Sequence, residues 1–501
     1  MYLSLVALCL AAIVGLYFSN NPLKHSRWFI LRRFINWFPL GMTYGFLYMG
    51  RFNLTVSKNA LGDLMPNRDF GLIFLAGAWT YALSFLINGP LVDKIGGKKG
   101  ILIAAVGASV ANIVLGVLTY LVATQRVKVN LIIAFSIAYA LNMYFQSYGA
   151  VSIIKVKAYW FHVRERGMFG AIFGTLISFG VYFAFDWGGA IVKMTKADAN
   201  ESSWLGQVIH RTFASSKSSV DATWAVFFIP AAALLFWALL DLWLIKDTPE
   251  DAGFPHLDTH DASSGQMHVN FTTMELLKKV FTSPLMLMVA VVELTSGVFR
   301  YGIMNWYLTF ANKHQTAVSQ YFADHWGVIL CFFGIIGGFA GGLISDKFFQ
   351  SRRGPPAALL CGFVLLMSIT MAASLKYSQF LVGSTAVLIV TAGIGITSLM
   401  SGTAATDFGG RKATATSSGV VDAFAYLGSG LQSVCLGYLL DRSWYWWPVF
   451  LMPFAVGGGI MAIKICKELP AATKRYIEEV EKKNAPILAF GHSAVPSSKR
   501  D

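Results

Sequence analysis

Apolar runs of about 20 residues or more recur along almost the whole chain, separated by short polar breaks. A run of that length crosses the roughly 30 Å hydrocarbon core of a bilayer as an α-helix. Twelve such spans are expected, at 34–57, 70–92, 100–123, 130–158, 167–193 and 222–245, then at 283–311, 323–345, 356–375, 379–404, 412–440 and 446–466. The short alternating segments of a membrane barrel are not seen. A shorter apolar stretch, LSLVALCLAAIVGLYF at 3–18, precedes the twelve. No basic region leads it and no A-x-A-like site follows it, so it reads as an additional N-terminal helix rather than a cleaved leader. Its N-terminus is expected outside, with residues 20–33 in the cytoplasm. One long polar stretch, 246–282, divides the spans six and six. The expected fold is an all-α membrane protein of two six-helix bundles. Its parts are an extra hydrophobic segment at 1–26, bundles at 27–245 and 283–466, a central cytoplasmic loop at 246–282 and a cytoplasmic tail at 467–501.

Composition agrees: 55% of residues are hydrophobic and only 13% charged, against about a quarter charged in soluble proteins. The net charge of +14 raises the question of nucleic acid. The basic residues answer it, because they gather in alternate breaks: Lys94, Lys98 and Lys99; Lys155, Lys157, Arg164 and Arg166; Lys347, Arg352 and Arg353; Arg411 and Lys412. The intervening breaks are poorer in them, the loop 194–221 apart. That asymmetry is the positive-inside pattern of a polytopic protein, expected here in a bacterial cytoplasmic (inner) membrane. It makes the lipid bilayer the partner and leaves no case for nucleic acid. The five cysteines are scattered through apolar runs without metal-ligand spacing, and no HExxH, GxSxG or P-loop pattern occurs. Neither an enzyme nor a bound cofactor or metal is expected.

The chain repeats itself. GPLVDKIGGKKG (89–100) follows the second span and GLISDKFFQSRRG (342–354) follows the eighth. Each has a glycine, an aspartate four residues later, a lysine next, and a basic pair at the loop end. Asp93 with Lys94 and Asp346 with Lys347 are candidates for conformational gating, since a carboxylate there offsets a neighbouring helix dipole. The paired loops resemble the signature loop of the major facilitator superfamily, which implies that superfamily's fold of two six-helix bundles.

Two arginines stand inside apolar runs. Arg300 lies in VVELTSGVFRYGIMNWYLTF and Arg51 in YGFLYMGRFNL, at nearly equivalent places in the first helix of each half. A central arginine costs about 2.5–3.5 kcal/mol on insertion scales. Two at related positions suggest a shared task at the mid-membrane interface of the halves. A planar guanidinium suits bidentate bonds to phosphate, so the pair is expected to take a phosphorylated or dicarboxylate anion. Two bland alternatives stand beside this: Arg51 snorkels to the surface, or Arg300 pairs structurally with Glu293, two turns earlier.

Five motifs in order resemble the organophosphate:phosphate antiporter family. They are YGFLYMGRFNLTVSKNAL, WFHVRERG (160–167), FRYGIMNWYLTF, DKFFQSRRGP and RKATATSSGVVDAFAYLGSGL, within about residues 27 to 470. The resemblance implies a monomeric secondary transporter that exchanges an organophosphate, such as a sugar phosphate or glycerol phosphate, for inorganic phosphate by alternating access. It implies further that Arg51 and Arg300 bind phosphate, that Tyr44, Tyr48 and Tyr81 line the cavity, and that Glu165 and Arg166 belong to a gating loop. The pattern departs where glycerol-phosphate carriers have a lysine in the second helix (Phe85 here) and a histidine in the fifth (Ile177 or a neighbour). Some hexose-phosphate carriers place a lysine at the position of Val421. Beside it, Asp422 is a candidate for contact with the non-phosphate part of the substrate, or a packing acid. Glu293 is a candidate partner for an arginine that exchanges with substrate. Asp186 is expected near the outer interface. Two other readings are a membrane sensor of external sugar phosphate, suggested by the extra N-terminal segment, and a proton-coupled carrier of another organic anion.

Overall fold

The structure, a computed structural model, describes residues 2–19, 21–123, 126–162, 165–195, 224–257, 281–349, 352–408 and 410–466, with isolated positions in 204–211 and 275–278; the side chains of 2–5, 166–171, 342, 343, 346 and 402–418 are not among those described. Most of the central loop and the whole tail 467–501 lie outside the described residues.

The ordered elements are helical. A short helix α1 (Tyr2–Ser19) occupies the extra N-terminal segment. The first half then comprises α2 (Arg27–Leu61), α3 (Asn67–Ile95), α4 (Gly97–Ala123), α5 (Leu131–Trp160), α6 (Arg166–Tyr182) running through one π-helical turn into α7 (Gly188–Met194), and α8 (Ala225–Leu244). The second half comprises α9 (Pro284–Met304), α10 (Tyr307–His314), α11 (Ala317–Asp324), α12 (Trp326–Phe348), α13 (Gly354–Ser374), α14 (Gln379–Phe408), α15 (Gly410–Arg442) and α16 (Trp446–Ile465). Each expected span falls on one of these helices or on a consecutive run of them. The starts follow local chemistry: Ser26, Asn130, Ser283 and Thr316 each accept a backbone N–H of the first turn they open.

Two spans are not continuous. The seventh breaks at Asn305–Trp306 between α9 and α10. The eighth is preceded by α11, bent 67° from α12. Nine helices among the described residues are long and apolar enough to cross a bilayer, ten with the bent pair counted as one. The remaining two expected spans, α2 and α5, are long enough at 35 and 30 residues. They fall outside that count because both carry lysines, amides and tyrosines, and α2 arginines as well; Arg51, Asn53, Asn142 and Gln146 among these are buried. The chain is a multi-pass integral membrane protein.

The halves meet where α3 lies along α15 and α6 along α12. Asn67 donates to Asp441 (2.8 Å), Asn59 to the Leu308 carbonyl (2.9 Å) and Trp79 Nε1 to the Leu427 carbonyl (3.3 Å). Asp186 accepts from the backbone N–H groups of Gly327 (2.6 Å) and Val328 (3.1 Å), so it caps α12 of the opposite half rather than simply facing the interface. These bonds lie at or beyond mid-membrane, toward the loops poor in basic residues.

Candidate functional site

Arg51 sits deep in α2 and is fully buried. Nothing acidic lies within ion-pairing distance of it among the described residues. Its charge is met by neutral groups. Nε donates to Gln146 Oε1 (3.1 Å), Nη2 to the Tyr81 hydroxyl (3.1 Å) and Nη1, in a short contact, to the Tyr426 hydroxyl on α15 of the other half. The guanidinium also lies over the rings of Tyr48 and Tyr81, 4.6 Å from each centroid.

A buried amide network fixes this arrangement. Gln146 donates to Asn142 (3.0 Å), Asn112 donates to Asn142 (3.1 Å), and Asn53 bonds Asn112. Asn142 donates to the Gly50 carbonyl (3.0 Å) and Tyr139 to the carbonyl of Arg51 itself (2.9 Å). The helix turn that carries Arg51 is thus held from two neighbouring helices. Within the network Asn53 Oδ1 alone is left without a partner, and the remaining bonds reinforce one another in the low-dielectric interior.

Arg300 sits in α9, the first helix of the other half, and is half-buried. Its Nη2 donates to the hydroxyl of the adjacent Tyr301 (3.1 Å), and its guanidinium lies 4.8 Å from that ring. The Tyr301 ring stands 5.6 Å from that of Tyr426, which stands 4.1 Å from that of Tyr81. Tyr48 and Tyr301 are each within charge-interaction range of both arginines. One guanidinium from each half therefore converges on a shared group of tyrosines. The arrangement offers N–H donors and aromatic walls to an anion, with no metal-ligand cluster among the described residues.

Close helix approach sets this depth on the C-terminal side. A β-carbon at Gly297 would collide with the Ala425 carbonyl, and one at Gly428 with the Leu294 carbonyl. The two glycines let α9 and α15 touch backbone to backbone, bringing the helix faces that carry Arg300, Glu293, Asp422 and Tyr426 together.

The other expected residues fall as follows. Tyr44 is buried beside Tyr48, with ring centroids 5.5 Å apart. Phe85, also buried, packs edge-on against Tyr81 (4.8 Å) and faces Gly419 across the half interface. Glu293 is fully buried and makes no direct ion pair with Arg300, although the two interact by charge at longer range. Asp422 is half-buried, bonded by Ser401. Asp93 does not act with Lys94: it accepts from Lys155 on α5 (2.9 Å), while Lys94 and Lys347 are exposed. The side chains of Asp346 and Arg166 lie outside those described.

Glu165 receives Arg33 through two bonds of 2.8 and 2.9 Å. Burial alone would raise its pKa, but the nearby His25, 3.6 Å away, and the two bonds from Arg33 outweigh that and hold it down to about 2. Arg33 also donates to Tyr17 of α1 (3.0 Å), which ties the extra helix to this buried pair. Sequence reasoning missed Arg33, Tyr17, Gln146, Tyr301 and Tyr426. Tyr301 and Tyr426 stood within the quoted motifs, and spacing could have flagged Tyr426, four residues after Asp422.

The family model of the Major Facilitator Superfamily matches residues 40–433. The membrane sensor protein UhpC of Escherichia coli is 23% identical over 471 residues, covering 91% of this chain and 98% of that protein. The glycerol-3-phosphate transporter of Bacillus subtilis is 25% identical over 415 residues, covering 79% of this chain and 81% of that protein. Among solved structures, a bacterial homologue of the human lysosomal transporter Spinster, inward-facing and occupied, superposes with a TM-score of 0.63 at 16% identity, covering 86% of this chain and 96% of that one. That likeness concerns the fold alone. The chain belongs to the major facilitator superfamily, a family of transporters and not of enzymes.

Proposed function

We propose that the protein carries an organophosphate, of the sugar phosphate or glycerol phosphate type, across the membrane in exchange for inorganic phosphate. The observation that carries this reading is the convergence of Arg51 and Arg300, one from each half, on the tyrosines that join α3, α9 and α15. Hydroxyls are weak partners for two guanidiniums. A phosphate oxyanion replaces them with charge-assisted bonds. Binding then draws the halves together, and without a ligand the repulsion of two cations opposes closure. This couples occupancy to alternating access, with the substrate at the repeat interface. The resemblance of five motifs to the organophosphate:phosphate antiporters and the likeness to a glycerol-3-phosphate transporter support it. Reconstituted protein should exchange internal unlabelled phosphate for external radiolabelled phosphate, and organophosphates should inhibit that exchange. An absence of counterflow sinks the proposal.

A sensor reading draws on the likeness to UhpC and on α1. It expects saturable organophosphate binding without transport.

A further inference from the structure

We propose that the substrate carries an ammonium group on its organic part, held by Glu293 and Asp422 while its phosphate lies on Arg51 and Arg300. This rests on the organophosphate reading above.

Glu293 has no exposure, and neither carboxylate oxygen has a hydrogen-bond partner. Two hydroxyls stand beside it, near enough to act on the carboxylate but without good hydrogen-bond geometry to it: Ser296 donates to the Glu293 backbone carbonyl (2.7 Å) and shares a bond with Thr397 (2.9 Å). A buried carboxylate without partners is costly and persists where something else meets it. Asp422 is close enough to interact with it by charge, and both interact with Arg300. Asp422 is also four residues before Tyr426, so the two share one face of α15, and Tyr426 is the residue that reaches Arg51.

Charge balance points the same way. Two arginines match a phosphate monoester of charge near −2. Glu293 and Asp422 are then left uncompensated in a low-dielectric layer. One ammonium offsets one of those two charges and completes the Glu293 hydrogen bonds. A second anionic group on the substrate would be repelled. Asp422 lies one helical turn from Tyr426 and Glu293 two turns from Arg300, so about 5–10 Å separates the anion and cation subsites along the axes. An amino sugar phosphate spans such a gap.

The test uses full-length protein in proteoliposomes loaded with phosphate. Glucosamine 6-phosphate and glucose 6-phosphate differ by one amine in place of a hydroxyl. The amine form should inhibit labelled phosphate exchange about tenfold more strongly, the size of one charge-assisted hydrogen bond. In Glu293→Gln and Asp422→Asn that ratio should fall toward one, whatever the absolute rates. Equal inhibition by the two in wild-type protein overturns the ammonium site and leaves the organophosphate reading standing. Equal inhibition with net proton uptake assigns the carboxylates to protons instead. Exchange that neither compound inhibits overturns both readings. The wild-type ratio decides even where a variant fails to fold.

Discussion

Arg51 on the first helix of one half donates to the Tyr426 hydroxyl on a helix of the other, where no carboxylate among the described residues pairs with it. The contact is a bond between halves and, on the proposed function, a placeholder at the anion site. Phosphate that lands on Arg51 must displace it. Tyr426→Phe keeps the ring and removes the competitor. A net hydrogen bond is worth about 0.5–1.5 kcal/mol, so the affinity for inorganic phosphate should rise roughly 2- to 10-fold, without a gain in exchange rate. Titration of wild-type and variant with labelled phosphate in detergent measures this. Unchanged or weaker affinity would mean the hydroxyl is part of the phosphate shell.

Arg51→Lys and Arg300→Lys keep the charge and lose the fork. Each arginine would lose at least one charge-assisted bond to phosphate, of about 1.5–3 kcal/mol. Organophosphate uptake should fall about 10- to 100-fold or more while the protein still reaches the membrane, judged by immunoblot and size-exclusion profile. Normal uptake by both variants removes the arginine pair from the phosphate site.

How much of this was visible in the sequence follows from what each residue type costs. Arginine in an apolar run is expensive wherever it sits, so Arg51 and Arg300 announced themselves, and the apolar runs marked each span. Tyrosine is cheap at many membrane positions, including the interfacial belt. Tyr301 and Tyr426 gain meaning only from packing between helices 125 residues apart in sequence. The same holds for Asn142 and Gln146: one amide in a long helix is unremarkable, and the network appears once α2, α4 and α5 are side by side. Arg33 looked like an ordinary positive-inside residue, and its burial depends on α1 and on Glu165 arriving from elsewhere.

The Arg33–Glu165 pair predicts a pH dependence of stability. The Glu165 carboxyl has its pKa lowered from 4.5 to about 2 in the folded protein. A depressed carboxylate pKa contributes stability that is fully present above the unfolded value and is lost as pH falls through the folded one. The contribution should therefore be constant from pH 8 to about 5 and decline between 4.5 and about 2. Thermal unfolding of detergent-solubilised protein should show that decline, and Glu165→Gln should be less stable at pH 7 with a shallower acid limb. Parallel limbs in the two proteins would place the acid sensitivity elsewhere.

Asp186 holds the far end of the interface by capping α12 across the halves. A helix cap is worth about 0.5–2 kcal/mol. If the halves close there in one state and part in another, that energy belongs to the closed state alone, and Asp186→Ala should move the equilibrium toward opening by about 2- to 30-fold. Ser433 reports on it, being buried where α15 meets Gly71 of α3. Cys9, Cys331, Cys361, Cys435 and Cys466 are unpaired, so the measurement needs a background in which they are replaced. Ser433→Cys in that background should react slowly with a membrane-impermeant maleimide from the side poor in basic loops, and faster by that factor once Asp186 is alanine. Saturating organophosphate should slow labelling in both proteins if it favours closure. Equal labelling rates with aspartate and alanine at 186 would show that the cap stabilises α12 alike in every state and takes no part in gating.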